Sequence, residues 1–160
     1  MTLARTTCAA VFEAVANDAR VRRGLGHGVA PLSLQAVVGD PRNVALADGE
    51  NGGFVFENLG DGRFELHTLL DAAVRGAAAL DLAARAMAWV FANTDATAIV
   101  TRTPGNLRHA ALMARRAGFA PLHTARGAWP GPDGPTDLTF YAMSRRDWAA
   151  RQQSQSKPEN

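Results

Sequence analysis

The spacing of apolar positions changes period several times along the chain. Val11, Phe12, Val15 and Ala19 recur at helical spacing behind Thr6 and Thr7, which predicts a first helix capped by one of those hydroxyls. It should end before the run Gly24, Leu25, Gly26, His27, Gly28, which reads as a loop; no Lys-Ser/Thr follows, so it is not a phosphate loop. Residues 33–38 fit a short strand or a second helix equally well. Residues 43–47, 54–58 and 63–70 then read as antiparallel strands separated by turn clusters, with Asp61-Gly62 the strongest hairpin signal in the chain. In the third strand, alternation puts Phe64 and Leu66 on one face and Glu65 and His67 on the other.

A helical period returns at residues 77–91, with Leu80, Ala84, Met87 and Phe91 on one stripe and Asp81 and Arg85 paired at i, i+4. Residues 97–101 are short and β-branched, which predicts a strand. Thr103 and Pro104 read as the N-cap and first residue of a helix through Leu107, Ala111 and Ala114. That helix stops at a left-handed Gly118, after which Phe119 packs back. Residues 120–129 and 138–144 form a final hairpin around 130–135. The order is helix, three antiparallel strands, helix, strand, helix, two strands. The strand–helix–strand unit over 63–101 brings its two strands parallel, so the class is α/β (α+β) with a mixed sheet.

Composition narrows the picture modestly. The 160 residues suit one domain over residues 1–150, followed by a polar tail, 151–160, expected to be disordered. With 47% hydrophobic and 20% charged residues, wholesale disorder is excluded. A single cysteine, Cys8, excludes an internal disulfide and a multi-cysteine zinc site. It suits a reducing cytosol. No stretch approaches the ~20 apolar residues that span a bilayer, and none reads as a targeting signal, so no membrane role and a cytoplasmic location are expected. Net charge is +2, and Lys157 is the single lysine. The arginines are scattered rather than interleaved with aromatics, which argues against nucleic acid as a partner. Arginine binds phosphate in a bidentate way, so a phosphorylated small molecule stays open.

Two motifs in their structural context carry a resemblance. Val74, Arg75, Gly76, Ala77, Ala78, Ala79 and Leu80 join a strand to a helix. They resemble the second half of the acyl-CoA motif of the GNAT acyltransferases, Gln/Arg-x-x-Gly-x-Gly/Ala, with Gly76 and Ala78 at its small positions. Thr103, Pro104, Gly105 and Asn106, followed by Arg116, Ala117, Gly118 and Phe119, resemble the family's later motif. Phe64, Glu65, Leu66 and His67 are similar to its small, phage-type members. The resemblance spans residues 43–148. Ala73 stands where the family has Gln or Arg, Ala114 where many members have a tyrosine, and Asn106 falls one residue early. The resemblance implies a GNAT-like mixed central sheet: antiparallel N-terminal strands, a strand–helix–strand acyl-CoA unit and a C-terminal β-hairpin. It implies acetyl-CoA as co-substrate, held by Leu69, Val74, Arg75, Gly76, Ala77, Ala78 and Asn106. It also implies acetyl transfer to an amine by direct attack in a ternary complex.

Such a reaction requires a held thioester, a polarised carbonyl and a deprotonated amine. A glycine-bearing turn that opens a helix offers free N–H groups to a pyrophosphate. Glu65 and His67 are the candidate bases, directly or through a water; imidazole titrates near neutrality, which suits the role. Their plainer readings are an exposed strand carboxylate and a hydrogen-bonded, half-buried histidine. A Glu-x-His metal site would need His27, His109 or His123 as a third ligand, and none is helpfully spaced. Arg115 and Arg116 complement a helix end. Tyr141, Trp89, Trp129 and Trp148 read as packing residues, and Cys8 as inert. The acceptor, a small-molecule or peptide amine, would meet residues 19–40 and 123–136, which show no clear charge pocket. An edge strand near the C-terminus leaves a homodimer open. The alternative function is a non-catalytic acyl-CoA-binding or protein-interaction module of the same fold; a small basic nucleic-acid binder is a third reading that the scattered arginines disfavour.

Overall fold

The computed structural model describes residues 2–25 and 30–155. Gly26, His27 and Gly28 of the glycine run lie outside the described residues, as do residues 156–160 of the polar tail. The elements follow the order β1 (Ala4–Arg5), α1 (Ala10–Asn17), α2 (Ala19–Arg22), α3 (Gln35–Gly39), β2 (Val44–Ala47), β3 (Gly52–Gly60), β4 (Arg63–Leu70), α4 (Gly76–Asn93), β5 (Ala98–Pro104), α5 (Arg108–Arg116), β6 (Ala120–Gly131), β7 (Gly134–Ser144) and α6 (Arg145–Gln155). A 3-10 turn, Gly49–Asn51, precedes β3. The strands form one sheet in the order β1-β2-β3-β4-β5-β7-β6. Among the described residues, only the β4–β5 pair is parallel; the other pairs are antiparallel.

Two apolar clusters sandwich this sheet. On one face, Leu82, Ala86, Met87, Val90 and Phe91 of α4 pack on Phe54, Phe56, Phe64, Leu66, Ile99, Tyr141 and Met143, joined by Ala114 and Trp148. On the other, Phe12, Val15 and Ala16 of α1 and Val38 of α3 pack on Ala45, Val55 and Leu69. Alternation along each strand sorts its side chains between the two. The buried stripe of α4 is rotated from the expected one: Leu82, Ala86 and Val90 face inward, while Leu80 and Ala84 are half-buried. The helix is apolar almost all round, so periodicity alone does not fix its inner face.

The β3–β4 hairpin turns on Asp61 and Gly62, whose φ angles of 53° and 71° are both positive, as a tight two-residue turn of this twist requires. Other local expectations give way to tertiary context. Thr6 accepts the N–H of Cys8 instead of capping α1, whose N-cap is Ala9. Cys8 precedes the helix and is exposed. Asp18 ends α1 and caps α2, accepting from the N–H of Arg20 at 2.8 Å. The Arg20 guanidinium hydrogen-bonded to it holds its carboxyl below the usual range. Residues 33–38 resolve as the short helix α3. Thr103 and Pro104 end β5 rather than start a helix: they pair with Thr139 and Leu138, and α5 begins four residues after Pro104, at Arg108. Proline's missing donor is tolerated there because it closes the strand. Gly118 adopts φ 98° as expected, and Phe119 is buried behind it.

The C-terminal segment is more ordered than a polar composition suggests, since α6 runs on to Gln155. Trp148 stacks on Phe91 with ring centroids 5.9 Å apart. Arg145 donates to the carbonyls of Phe91, Thr94 and Ala96 at 2.6, 3.0 and 2.7 Å, which satisfies the C-terminal end of α4. Arg145→Ala should therefore cost about 2 kcal/mol, because three charge-assisted bonds to carbonyls are lost together. In a thermal melt this is a fall of roughly 4–8 °C for a domain of this size. Gly53→Ala should be at least as damaging, since its Cβ would lie 1.9 Å from the Leu46 carbonyl oxygen. Forcing β2 from β3 costs about 1–3 kcal/mol or more, and the same melt measures it.

Candidate functional site

The sheet opens where its two parallel strands part. β4 and β5 pair at only three positions: Arg63 with Ala98, Phe64 with Ile99 and Glu65 with Val100. Both strands continue, to Leu70 and Pro104, without pairing again. At the fork, the Thr101 hydroxyl donates to the Leu66 carbonyl at 3.1 Å, so a side chain takes the place of the next ladder bond. The Leu66 carbonyl thus points toward β5. With a two-residue period, the backbone groups of Thr68 and Leu70 point into the widening gap, and those of His67 and Leu69 point toward β3. Leu69 is 4% exposed and packs with the α1 cluster. The residues of β4 that present backbone to the gap are therefore Thr68 and Leu70, not Leu69.

A tight turn leads from the gap to α4. Asp71 builds it, accepting the N–H of Ala73 at 2.8 Å through its carboxylate and that of Val74 at 2.9 Å through its carbonyl. Val74 packs against the core below α4. Arg75 folds back so that its Nε donates to the Ala72 carbonyl. Gly76 has φ 59°, and a Cβ there would meet nothing within 4 Å. Arg75, Gly76, Ala77 and Ala78 are exposed, and α4 starts with no side-chain cap. Among the described residues, no side chain caps the N–H groups of its first turn, at the positive end of an 18-residue helix dipole. Asn106 lies across the fork, exposed in the turn between β5 and α5, with its side-chain nitrogen 3.8 Å from where a Cβ on Gly131 would sit.

Beside the fork, one sheet face gathers the ionisable groups. Glu65 and His67 share it as expected, and Glu57 of β3 joins them as the cross-strand partner of Glu65. Ligand-type atoms of Glu57, Glu65 and His67 lie within 4.8 Å of one another. His67 Nε2 is 3.2 Å from Glu57 Oε2. Arg102, on β5 past the fork, places Nε 2.6 Å from Glu65 Oε1. The Glu65 side chain is 14% exposed, against 33% for His67 and 42% for Glu57. On β7 and β6 the same face continues as Phe140, half-buried, and His123, whose rings stack 4.5 Å apart. Phe140 is the cross-strand partner of Arg102.

Glu57 and Arg102 are site residues that the sequence pattern alone did not single out. Glu57 is two residues from Val55, which faces His67, so the signal lay in the register of the β3–β4 hairpin. The third donor beside Glu65 and His67 is a carboxylate, whereas His109 and His123 lie outside that group and His27 lies outside the described residues. Tyr141 is 2% exposed within the core, as a packing residue should be, with the Arg115 guanidinium 5.9 Å over its ring. Among the described residues, no helix is long and apolar enough to cross a membrane.

Comparison with known proteins agrees with this architecture. The family described as protein of unknown function (DUF2824) matches residues 45–154. No curated protein matches the chain. Among solved structures, a probable acetyltransferase of the GNAT family from Chromobacterium violaceum superposes with a TM-score of 0.71 at 19% identity, covering 92% of this chain and 84% of that one. Spermidine N-acetyltransferase from Vibrio cholerae, solved in complex with CoA and spermine, gives 0.74 at 13% identity over 92% and 97% of the two chains. The ribosomal-protein-S18-alanine N-acetyltransferase from Escherichia coli gives 0.65 at 14% identity over 89% and 92%. The parted parallel strands, the crossover helix and the terminal hairpin are thus the GNAT acetyltransferase fold, and the chain belongs to the DUF2824 family.

Proposed function

We propose that the protein is an acyl-CoA-dependent N-acyltransferase, with acetyl-CoA as the acyl donor and a small-molecule or peptide amine as the acceptor. The observation that carries this reading is the fork between β4 and β5, opening toward an uncapped helix start with unfilled space at Gly76. Such a gap suits an amide-bearing arm, which can hydrogen-bond to the backbone of Thr68 and Leu70 much as a strand would. The α4 start suits a pyrophosphate, because the N–H groups of Gly76, Ala77 and Ala78 and the helix dipole all favour an anion there. Arg75 adds a guanidinium at the rim, and Asn106 a side-chain amide on the β5 side. The Vibrio cholerae relative in the same fold was solved with CoA, which supports the choice of donor.

The donor supplies an acyl thioester. The acceptor nitrogen attacks its carbonyl carbon; a C–N bond forms, the C–S bond breaks, and the sulfur leaves with the electron pair as thiolate. The acceptor must lose a proton in this exchange, and His67 takes it. His67 is the first side chain on its face beyond the last β4–β5 pair, and it is a third exposed. Glu65 is the weaker candidate: it is nearly covered, and Arg102 already engages one of its oxygens at 2.6 Å. Direct transfer in a ternary complex is the matching mechanism; it is supported by His67 beside the gap and by the single cysteine, Cys8, lying on the N-terminal segment before α1.

Thermal melting of the purified protein tests the cofactor site. Acetyl-CoA or CoA at one hundred times Kd should add about 2.7 kcal/mol. That raises Tm by roughly 5–10 °C, and ATP should give no such rise. Gly76→Val should abolish the rise while lowering the unliganded protein by only about 1–2 kcal/mol, the strain of a left-handed backbone. No rise with millimolar acetyl-CoA would sink the transferase reading and leave an interaction module of the same fold.

A further inference from the structure

The placement of Glu57 has a consequence for the proton that leaves the acceptor. We infer that Glu57 is a positioning residue for His67: it holds the imidazole so that Nδ1 receives the acceptor's proton, while Arg102 keeps Glu65 out of that exchange. This rests on the transferase reading above.

Glu57 and Glu65 stand directly opposite each other on neighbouring antiparallel strands. Like charges directly opposite each other destabilise a sheet. Each carboxylate is instead matched to a different partner. Glu65 takes Arg102 at 2.6 Å, from the next strand. Glu57 takes His67 at 3.2 Å along the diagonal, since the residue directly opposite His67 is Val55. The pairing is therefore ordered: arginine to the more buried carboxylate, imidazole to the more exposed one.

A carboxylate facing Nε2 can only accept a hydrogen bond, so the proton of the neutral ring sits on Nε2. Nδ1 then carries the lone pair, and among the described residues it makes no hydrogen bond. When Nδ1 takes a proton, the ring becomes a cation with Glu57 already against its other nitrogen. The carboxylate thus fixes the ring's tautomer and orientation, without itself exchanging a proton. A triangle of two glutamates and a histidine would also suit a divalent cation, but the Arg102 guanidinium already supplies the positive charge beside Glu65.

A double-mutant cycle on the full chain tests this, reading CoA thiol released from acetyl-CoA in water and in the presence of simple primary amines. Donor binding is followed in parallel by thermal melting. Glu57→Gln should lower kcat about ten- to a hundredfold, below the roughly 10²–10⁴-fold of a lost acid–base group because it acts through His67, with KM for acetyl-CoA unchanged. His67→Gln should lower it further. In the His67→Gln background, Glu57→Gln should then have no additional effect, because the two residues act as a unit. An unchanged kcat for Glu57→Gln, or losses that multiply in the double variant, would overturn the assignment while leaving the transferase reading in place. Acetyl-CoA binding by a wild-type protein that releases no thiol would overturn the assignment and the catalytic part of the reading together. Failure of acetyl-CoA to bind at all would overturn the reading itself.

Discussion

The site depends on one departure from regular pairing: two parallel strands that separate after three residues. A sheet normally does not tolerate unpaired backbone in its middle, because each buried N–H and C=O needs a partner. Here the cost is contained because each strand is fully held on its other side. β4 pairs with β3 along its whole length, from Arg63 to Leu70, and β5 pairs with β7 from Ala98 to Pro104. The Thr101 hydroxyl closes the vertex. What remains is a short row of backbone groups in the centre of the sheet with no strand to answer them. That is the simplest way for a rigid scaffold to present peptide-like hydrogen bonds to a ligand, and the crossover helix α4 necessarily starts close to it, because it follows β4 after a five-residue turn.

The same fork divides the chemistry between its two sides. Glu65 belongs to the last paired position and is covered; His67 comes one step beyond it and is open. Arg102 is the equivalent side chain on the departing strand, and it reaches back to Glu65 rather than outward. Side chains two residues apart on one strand therefore have different surroundings. One is a carboxylate engaged by Arg102 where the β4–β5 ladder ends, and the other is a ring whose Nε2 meets Glu57. Two residues that share a face by alternation are not equivalent when the strand beside them leaves.

Much of the fold was legible because local signals agreed with one another. Asp61-Gly62 marked a tight turn, residues 63–67 alternated cleanly, and Gly118 ended α5 where a left-handed residue was needed. The failures have physical causes. Thr103 and Pro104 carry a helix-start signature, but pairing with β7 keeps them in a strand. Residues 151–155 look like the start of a polar tail, yet they continue α6, which is anchored by Trp148 against Phe91 and by the Arg145 bonds to the end of α4. Both are long-range contacts that no local window contains. Alternation does not reveal which backbone groups β4 turns toward the gap: those of Leu69, read as a cofactor contact, face β3, and those of Thr68 and Leu70 face the gap.

Glu57 shows most clearly why the site was only partly readable. Counting back symmetrically from the Asp61-Gly62 turn pairs Gly60 with Arg63, and would set Asn58 opposite Glu65. The register instead shifts between Asn58 and Gly60, so that Asn58 meets Phe64 and Glu57 meets Glu65. The residue left over is Leu59, 43% exposed. One extra residue in a strand exchanges its two faces beyond that point. Without the bulge, Glu57 would point into the apolar cluster with Phe64 and Leu66, and Phe56 would stand on the polar face. With it, Phe56 is fully buried and Glu57 reaches His67. The bulge thus satisfies the hydrophobic pattern of β3 and brings Glu57 to His67 in the same step, so the core and the candidate site are set by a single irregularity in the ladder.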